Sequence, residues 1–320
     1  MRAEDFCSLP TEAVARLVRQ GGLKVCVFPI NGTRRWFVLE HAPEPEEDFV
    51  QAYLDLTTEH HIEIYRLFFE HGVDTLLTPV FGPDLLDRGD EYLSVAADGL
   101  ARLASHSAFL HFYVEHDVRV RFYGDHRKFF APTAHAYLSD LFDDVTEWTA
   151  SHSRHRLFIG VCANDATGTV AELAIRYHAE HGRAPDKRTL VELYYGEYVE
   201  PVDIFVGFDK FAVFDMPLVA AGDEDLYFTV CPSLYMTERQ LRDILYDHLY
   251  ARRGGEPDYS EMTAGDWVLM REFYQMNRDR TLGLGVRQAR TGVWYPRPQV
   301  TLPDSALELL QPGESLSQAE

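Results

Sequence analysis

Residues 24–36 read Lys-Val-Cys-Val-Phe-Pro-Ile-Asn-Gly-Thr-Arg-Arg-Trp, and the expectations for the whole chain start from this stretch. The apolar run Lys24–Pro29 is typical of a short buried strand that ends at its proline. The turn Asn31–Arg35 then opens a helix, so its free backbone N–H groups can bind an anion, and two adjacent guanidinium groups match phosphate oxygens. The alternative interpretation is a solvated turn with two surface arginines.

Outward from this stretch, short apolar runs alternate with longer helical stretches. Helices are predicted over residues 47–71, where Gly72 is the expected C-cap, and over residues 92–116. Strands are predicted over residues 24–29, 74–81, 118–123, 156–162, 203–207 and 226–230. This alternation predicts an α/β fold with a largely parallel central sheet of about six strands flanked by helices. Ligands of such sheets bind beyond the carboxyl ends of the strands.

Two further polar segments belong to this edge of the predicted sheet. Asp84–Asp90 follows the second strand and places three aspartates and Arg88 near the same crevice. The alternative here is a capped helix start, with Asp84 or Asp90 as the N-cap residue. The third strand, residues 118–123, carries two arginines and leads into a Gly-Asp pair.

Charge and composition exclude several classes of protein. The 320 residues contain 30 Lys and Arg against 51 Asp and Glu, and the formal net charge is −21. Such a chain repels phosphate backbones, so we expect no nucleic-acid partner and no anionic membrane surface. No apolar run is long enough to span a bilayer, no secretory signal is visible, and four scattered cysteines indicate reduced thiols, which together predict a soluble cytoplasmic protein. The chain has no Walker loop, no paired-glycine dinucleotide loop and no Gly-x-Ser-x-Gly motif.

Taken in order, these segments resemble the cis-prenyltransferase superfamily, whose best-known members make undecaprenyl diphosphate. The family's Asp-Gly-Asn-Gly-Arg-Trp motif falls on Asn31–Trp36, and its Phe-Ser-x-Glu-Asn-Trp-x-Arg motif falls on Phe81–Arg88. Its strand that ends in Gly-Asp falls on Arg119–Asp125. The resemblance covers residues 24–248 and implies the cis-prenyltransferase fold.

Longer phrases resemble a divergent bacterial branch, the tuberculosinol and tuberculosinyl-adenosine-type diterpene synthases. These phrases are Phe28–Phe37, Asp84–Asp90, Tyr194–Tyr198 and Ile244–His248. Resemblance to this branch implies a substrate that is already cyclised, a bicyclic C20 diphosphate of the labdane, clerodane or halimane kind.

One departure from the superfamily bears directly on the reaction. An enzyme that lengthens prenyl chains binds a second diphosphate through arginines in two segments, which fall here on Cys162–Ala166 and Gly207–Phe214. Neither segment contains an arginine. Because a diphosphate is costly to bind without cationic partners, the sequence predicts a single diphosphate site.

The resemblance also implies which residues form that site. The implied diphosphate-binding residues are Gly32, Thr33, Arg34, Arg35 and Arg88. The implied catalytic residues are Asn31, Asp84, Arg35, Arg88 and Tyr195. Mg2+ is the implied cofactor. Asn31 stands where the family has Asp, so it would be a weak magnesium ligand and cannot act as a base.

The step that quenches the cation is predicted to differ from that of the branch. The branch has a Tyr where Phe49 falls in our register, so a polar pair near the cation is expected to be absent. Either released pyrophosphate acts as the base, or other groups activate water. The candidates for that second role are Tyr194, Tyr195, Glu197 and Asp215.

These residues predict a diterpene synthase that ionises one prenyl diphosphate, releases pyrophosphate and gives a diterpene alcohol or olefin. Two alternatives stay open at this point. One is a true cis-prenyltransferase that condenses isoprenoid diphosphates. The other is a catalytically silent partner subunit that binds a prenyl diphosphate.

The predicted organisation has three parts. Residues 1–255 form the catalytic domain, residues 256–305 form a C-terminal extension packed on it or on a partner subunit, and residues 306–320 form a mobile tail. The resemblance implies a homodimer, and the apolar segment Leu241–Tyr250 is a candidate for the interface.

Overall fold

Six parallel strands form the central sheet of the computed structural model, which describes residues 1–41, 48–209, 211–252, 259–291, 293–296 and 300–302 apart from the side chain of Asp84. The sheet order is β3-β4-β2-β1-β5-β6. The strands are β1 (Val25–Val27), β2 (Thr75–Phe81), β3 (Val118–Tyr123), β4 (His155–Val161), β5 (Ile204–Phe208) and β6 (Asp225–Thr229). The predicted α/β fold with six parallel strands is confirmed.

Helices cover both faces of the sheet. They are α1 (Ala3–Cys7), α2 (Thr11–Gln20), α3 (Thr33–Glu40), α4 (Phe49–Glu70), α5 (Asp90–Ser105), α6 (Ser107–Glu115), α7 (His126–Phe130), α8 (Leu138–Trp148), α9 (Thr167–His181), α10 (Lys187–Tyr195), α11 (Glu238–Tyr246) and α12 (Ala264–Asn277). Two 3-10 turns cover Pro83–Arg88 and Ser233–Tyr235, and a π-turn covers Asp247–Ala251. In the part of the chain described above, no helix is both long and apolar enough to cross a bilayer.

Two apolar cores lie on opposite faces of this sheet. The larger core packs α4, α5, α6 and α8 against one face, and the smaller core packs α9 and α10 against the other. All of β1 and nearly all of β2 are buried, as expected of central parallel strands covered by helices on both sides. Residues of one core therefore lie across the sheet from residues of the other core, and the two groups cannot line the same site.

The helix predicted over residues 92–116 is in fact two helices, α5 and α6. They are separated by His106, whose backbone is extended with ψ of 133°. The His106 ring accepts a hydrogen bond from the N–H of Ala108 at 3.4 Å and so caps the start of α6. A side-chain cap of this kind replaces the missing intrahelical partner and ends the continuous helix.

The carboxyl ends of β3 and β4 touch at Gly124. This residue has φ of +103°, and a Cβ atom there would lie 2.2 Å from the carbonyl oxygen of Val161. The next N–H, of Asp125, donates to the carbonyl of Cys162 at 3.0 Å. Both the backbone conformation and the contact therefore require glycine.

The predicted interface helix α11 is covered within the same chain. Leu241 and Leu245 are buried. Phe6 of α1 lies 5.8 Å from the ring centre of Tyr246 and 6.0 Å from that of Tyr250. The buried part of Leu241–Tyr250 packs on α1 of the same chain, and a subunit interface at this segment stays a prediction.

The described residues from 259 onward include α12 and a hairpin of β7 (Gly285–Arg287) and β8 (Trp294–Pro296). None of the α12 side chains is buried. Trp294 of the hairpin lies 5.7 Å from the ring centre of Phe211. The predicted domain boundary at residue 255 and the predicted tail over residues 306–320 lie outside the described residues.

Candidate functional site

A cavity of about 680 Å3 opens at the carboxyl ends of β1, β2 and β5. The turns after these strands form its mouth, and α4 and α5 form its walls. Both its size and its position beyond the strand ends are those of small-molecule sites in parallel α/β proteins.

The turn between β1 and α3 forms one side of the mouth. Gly32 has φ of +75°, and a Cβ there would lie 3.0 Å from both Phe208 and Pro232, so the turn needs glycine. The N–H of Asn31 donates to Oγ of Ser233 at 3.0 Å, which fixes the turn. The first N–H groups of α3 have no intrahelical acceptor and lie at the mouth, where they can bind an anion.

Three exposed arginines, Arg34, Arg35 and Arg88, line the same mouth. The Arg35 guanidinium lies 5.7 Å from the ring centre of Phe208, and that of Arg88 lies 5.1 Å from the ring centre of Tyr92. Among the described residues, no carboxylate forms an ion pair with any of the three. In a chain of net charge −21, three exposed guanidinium groups beside the first N–H groups of α3 are the donors that suit a multiply charged anion.

The structure thus brings together most of the residues expected at the site. Asn31, Gly32, Thr33, Arg34, Arg35 and Arg88 all line the cavity. Asp84 lies in the 3-10 turn Pro83–Arg88, between the second strand and Arg88, as its motif implied. The helix start expected there is α5, whose first residue is Asp90 and whose N-cap is Gly89.

Tyr195 does not belong to the cavity, contrary to its assignment as a catalytic residue. It lies on α10 in the smaller core, on the opposite face of the sheet from α4 and α5. Its hydroxyl donates to the carbonyl of Pro217 at 2.7 Å. Burial raises the pKa of Tyr195 far above its usual value, so the phenol keeps its proton.

The other candidates for activating water also lie away from the cavity. Glu197 pairs with Arg119 at 3.5 Å, with Arg121 at 3.4 Å and with Arg156 at 3.6 Å. Arg119 and Arg121 are the two arginines noted on the third strand, and together with Arg156 of β4 they join these strands to the loop after α10. Tyr194 packs in the smaller core beside Tyr195.

Tyr53 is the site residue that sequence reasoning missed. Its hydroxyl lies 2.7 Å from Oγ1 of Thr33 at the cavity mouth, and burial raises its pKa so that the phenol stays protonated. Phe49 lines the same wall one helical turn earlier. Tyr53 and Thr33 thus form a polar pair at the cavity mouth, while the expected absence of a polar pair near the cation stays a prediction. The sequence signal for Tyr53 was its spacing of four residues from Phe49, because residues i and i+4 lie on the same face of a helix.

The walls of the cavity are mostly apolar. Residues 49–61 of α4 and 91–103 of α5 line it along about 18 Å of helix, at a rise of about 1.5 Å per residue. The two helices approach closely at Gly99, where a Cβ would lie 3.5 Å from Leu54. This compartment suits a hydrocarbon group whose charged end stays at the arginines.

Magnesium fits this mouth as an ion held mainly by a bound anion. The described residues contain no group of three or more His, Cys, Asp and Glu side chains that could hold a metal ion. Asn31 and Glu91 line the mouth and offer oxygen ligands. Mg2+ commonly takes one or two protein oxygens together with phosphate oxygens and water, and this donor set matches that pattern.

Comparison with curated proteins finds two relatives over nearly the whole chain, whereas no protein-family model matches. The chain is 46% identical over 294 residues to the tuberculosinyl adenosine transferase of Mycobacterium tuberculosis (strain CDC 1551 / Oshkosh), covering 91% of this chain and 97% of that protein. It is 24% identical over 283 residues to the (+)-kolavelool synthase of Herpetosiphon aurantiacus, covering 88% of this chain and 91% of that protein.

Two solved structures share the fold. One is lavandulyl diphosphate synthase from Lavandula x intermedia in complex with dimethylallyl diphosphate, with a TM-score of 0.52, 15% identity and coverage of 72% of this chain and 96% of that chain. The other is a probable undecaprenyl diphosphate synthase from Campylobacter jejuni, with a TM-score of 0.51, 17% identity and coverage of 74% and 98%. The predicted cis-prenyltransferase fold is confirmed.

Proposed function

The chain belongs to the family of the tuberculosinyl adenosine transferase, and from this membership we propose that it is a diterpene synthase that ionises a single bicyclic C20 prenyl diphosphate. The observation that carries the proposal is the group of three exposed arginines at the mouth of an apolar cavity. The diphosphate binds Arg34, Arg35, Arg88 and the N–H groups that follow Gly32. The hydrocarbon part lies between α4 and α5.

The proposed reaction begins with cleavage of the bond between the allylic carbon and the diphosphate oxygen. The bonding electrons leave with pyrophosphate, whose growing charge the three guanidinium groups stabilise. The allylic cation then binds a water oxygen and loses a proton to give an alcohol, or it loses a carbon-bound proton to give an olefin. Released pyrophosphate accepts the proton in either case. Tyr53 and Thr33 lie at the mouth, where they can orient that water.

Chain elongation is the main alternative, and the cavity argues against it. The cationic side chains among its described lining residues are Arg34, Arg35 and Arg88, and all three lie at the mouth. A second diphosphate would have to share them. Incubation with labelled isopentenyl diphosphate and an allylic primer decides between the two reactions, since only an elongating enzyme incorporates the label. The alternative of a catalytically silent subunit gives the three exposed arginines no role in a reaction.

Adenosine is a second candidate for the group that captures the cation. The relative from Mycobacterium tuberculosis is named as a tuberculosinyl adenosine transferase. Chromatography of the products formed from a panel of bicyclic C20 diphosphates, with and without adenosine, separates an alcohol or olefin from an adenosine adduct. Absence of pyrophosphate release from every member of the panel would reject the proposed function.

Magnesium bound by the diphosphate would supply further positive charge to the leaving group, with Asn31 as its protein ligand. We expect Asn31→Asp to lower the magnesium concentration for half-maximal rate roughly tenfold, equivalent to about 1.4 kcal/mol, because a carboxylate binds Mg2+ more strongly than an amide. Magnesium titrations of both proteins measure this, and product ratios show whether the added carboxylate also redirects proton loss. Identical titrations and products would mean that Asn31 only shapes the turn.

We further propose a cytoplasmic homodimer in which α12 packs on the partner subunit. The α12 side chains are not buried within their own chain, and they include exposed Trp267, Val268, Tyr274 and Met276. We expect light scattering to give twice the mass of one chain at micromolar concentration. Trp267→Glu combined with Tyr274→Glu should give the monomer mass, because charges would be buried in an apolar interface. A monomeric wild-type protein would contradict the proposal.

A further inference from the structure

Helix α5 has a glycine in its interior, at a position that lines the cavity. Gly99 lies near the middle of α5, and it is partly exposed although its helix packs on the larger core. A glycine inside a helix costs stability relative to alanine, because its backbone loses more conformational freedom on folding. Alanine at this position would therefore give a more stable helix, unless the local structure forbids a side chain.

Neither the backbone nor the packing forbids a side chain at Gly99. The residue has the conformation of a regular helix rather than a left-handed one. Outside its own helix, an added Cβ would meet one atom of the described residues within 4 Å, a methyl carbon of Leu54 at 3.5 Å, which is ordinary van der Waals contact. Gly32 at the mouth differs, since a Cβ there would lie 3.0 Å from both Phe208 and Pro232. The fold requires Gly32 but does not require Gly99.

The absence of a side chain at Gly99 enlarges the cavity. A side chain in a packed core touches other residues in most directions. The Cβ position at Gly99, in contrast, has only Leu54 beside it apart from its own helix. Since Gly99 and Leu54 both line the cavity, the open space at this position is part of the cavity. A larger residue at Gly99 would fill that space.

Gly99 lies between the two ends of the cavity. Tyr92 marks the mouth, because its ring centre lies 5.1 Å from the guanidinium of Arg88. Gly99 follows Tyr92 by about 10 Å along the helix, and Leu103 lines the cavity about 6 Å further on. The extra space is therefore well inside the mouth, along the part of the cavity that holds the hydrocarbon.

We propose that Gly99 is a specificity-determining residue that gives the cavity the width of a fused ring system, so that the protein selects bicyclic over linear C20 diphosphates. This inference rests on the proposed function, which fixes the diphosphate at the arginines. A short allylic side chain joins the rings of a bicyclic C20 group to the diphosphate, which places the rings inside the mouth at the depth of Gly99. Two fused rings are wider than an extended prenyl chain and need the space that a side chain on α5 would occupy.

The test measures dissociation constants for uncleavable phosphonate analogues of one bicyclic and one linear C20 diphosphate. We expect the wild-type protein to bind the bicyclic analogue about tenfold more tightly or better. Gly99→Leu should weaken binding of the bicyclic analogue about tenfold or more, and that of the narrower linear analogue less than about threefold. Gly168→Leu is the matched control and should change neither constant, because Gly168 is an exposed glycine of α9 with no atom within 4 Å of an added Cβ.

A second pair of variants separates cavity width from an effect on folding. Gly99→Ala should raise the unfolding midpoint by about 1–3 °C through its better helix propensity, and it should weaken binding of the bicyclic analogue roughly threefold. A glycine with a merely structural role would not give a more stable protein with weaker binding. Leu54→Ala combined with Gly99→Leu removes the facing side chain and should restore part of the affinity for the bicyclic analogue.

Two results would overturn the proposal. One is wild-type protein that binds the linear analogue as tightly as the bicyclic one. The other is Gly99→Leu protein in which both analogues bind as in the wild type, or in which both are weakened equally. If the bicyclic diphosphates release no pyrophosphate while the analogues bind in the expected ratios, the proposed reaction fails and the assignment of Gly99 stands.

Discussion

Replacing Arg35 by alanine is expected to lower kcat/KM for pyrophosphate release about thirty- to a thousand-fold, equivalent to roughly 2–4 kcal/mol of transition-state stabilisation. The guanidinium lies at the cavity mouth beside the free N–H groups of α3, where charge develops on the leaving diphosphate. The side chain is exposed and lacks an ion pair among the described residues, so its loss leaves no buried group unsatisfied. The unfolding midpoint should therefore stay close to that of the wild type.

Two further variants test whether the loss of rate depends on the position and the shape of the Arg35 side chain. Arg239→Ala changes the net charge by the same amount but removes an exposed arginine of α11 that pairs with Asp243, and it should leave turnover unchanged. Arg35→Lys keeps the charge but loses the planar pair of donors, so its rate should lie between those of wild type and Arg35→Ala. Wild-type turnover by Arg35→Ala would remove the proposed diphosphate site.

Replacing Gly124 by alanine is expected to destabilise the fold by about 3 kcal/mol or more. The added Cβ would meet the carbonyl oxygen of Val161 at 2.2 Å and the N–H nitrogen of Ala163 at 3.0 Å, and φ of +103° is itself unfavourable for alanine. Neither obstacle is a flexible side chain that can move aside. Urea or thermal unfolding of the purified variant measures the loss.

Gly182→Ala separates backbone strain from steric contact. Gly182 also has a left-handed backbone, with φ of +69°, but no atom lies within 4 Å of an added Cβ. This variant should lose only about 1 kcal/mol, which is the cost of the left-handed conformation alone. Equal losses in the two variants would mean that the contact between the ends of β3 and β4 has no energetic weight.

The strands were predictable because each is a short apolar run bounded by polar or turn residues. The break at His106 was not, because it depends on a ring nitrogen that accepts from a backbone N–H two residues later. The burial of α11 was missed for a related reason. Its apolar face is covered by α1, which lies more than two hundred residues earlier in the chain.

The mouth of the site was predictable because most of its residues lie in two continuous motifs that follow strands. Tyr195 was misplaced because its local motif does not say which face of the sheet its helix covers. Tyr53 was overlooked because attention fell on Phe49, which lies one helical turn earlier on the same face of α4.

The two ends of the cavity belong to different layers of the molecule. In the proposed reaction, loops at the sheet edge hold the leaving group, whereas side chains on α4 and α5 surround the carbon skeleton. A substitution on the cavity face of α4 or α5 changes which carbon skeleton fits the cavity. It leaves the loops at the mouth undisturbed, because side chains on these helices do not set the geometry of those turns. Enzymes that descend from one ancestral gene can therefore come to make different terpenoids through substitutions of a few cavity-wall residues, while the residues at the cavity mouth stay the same.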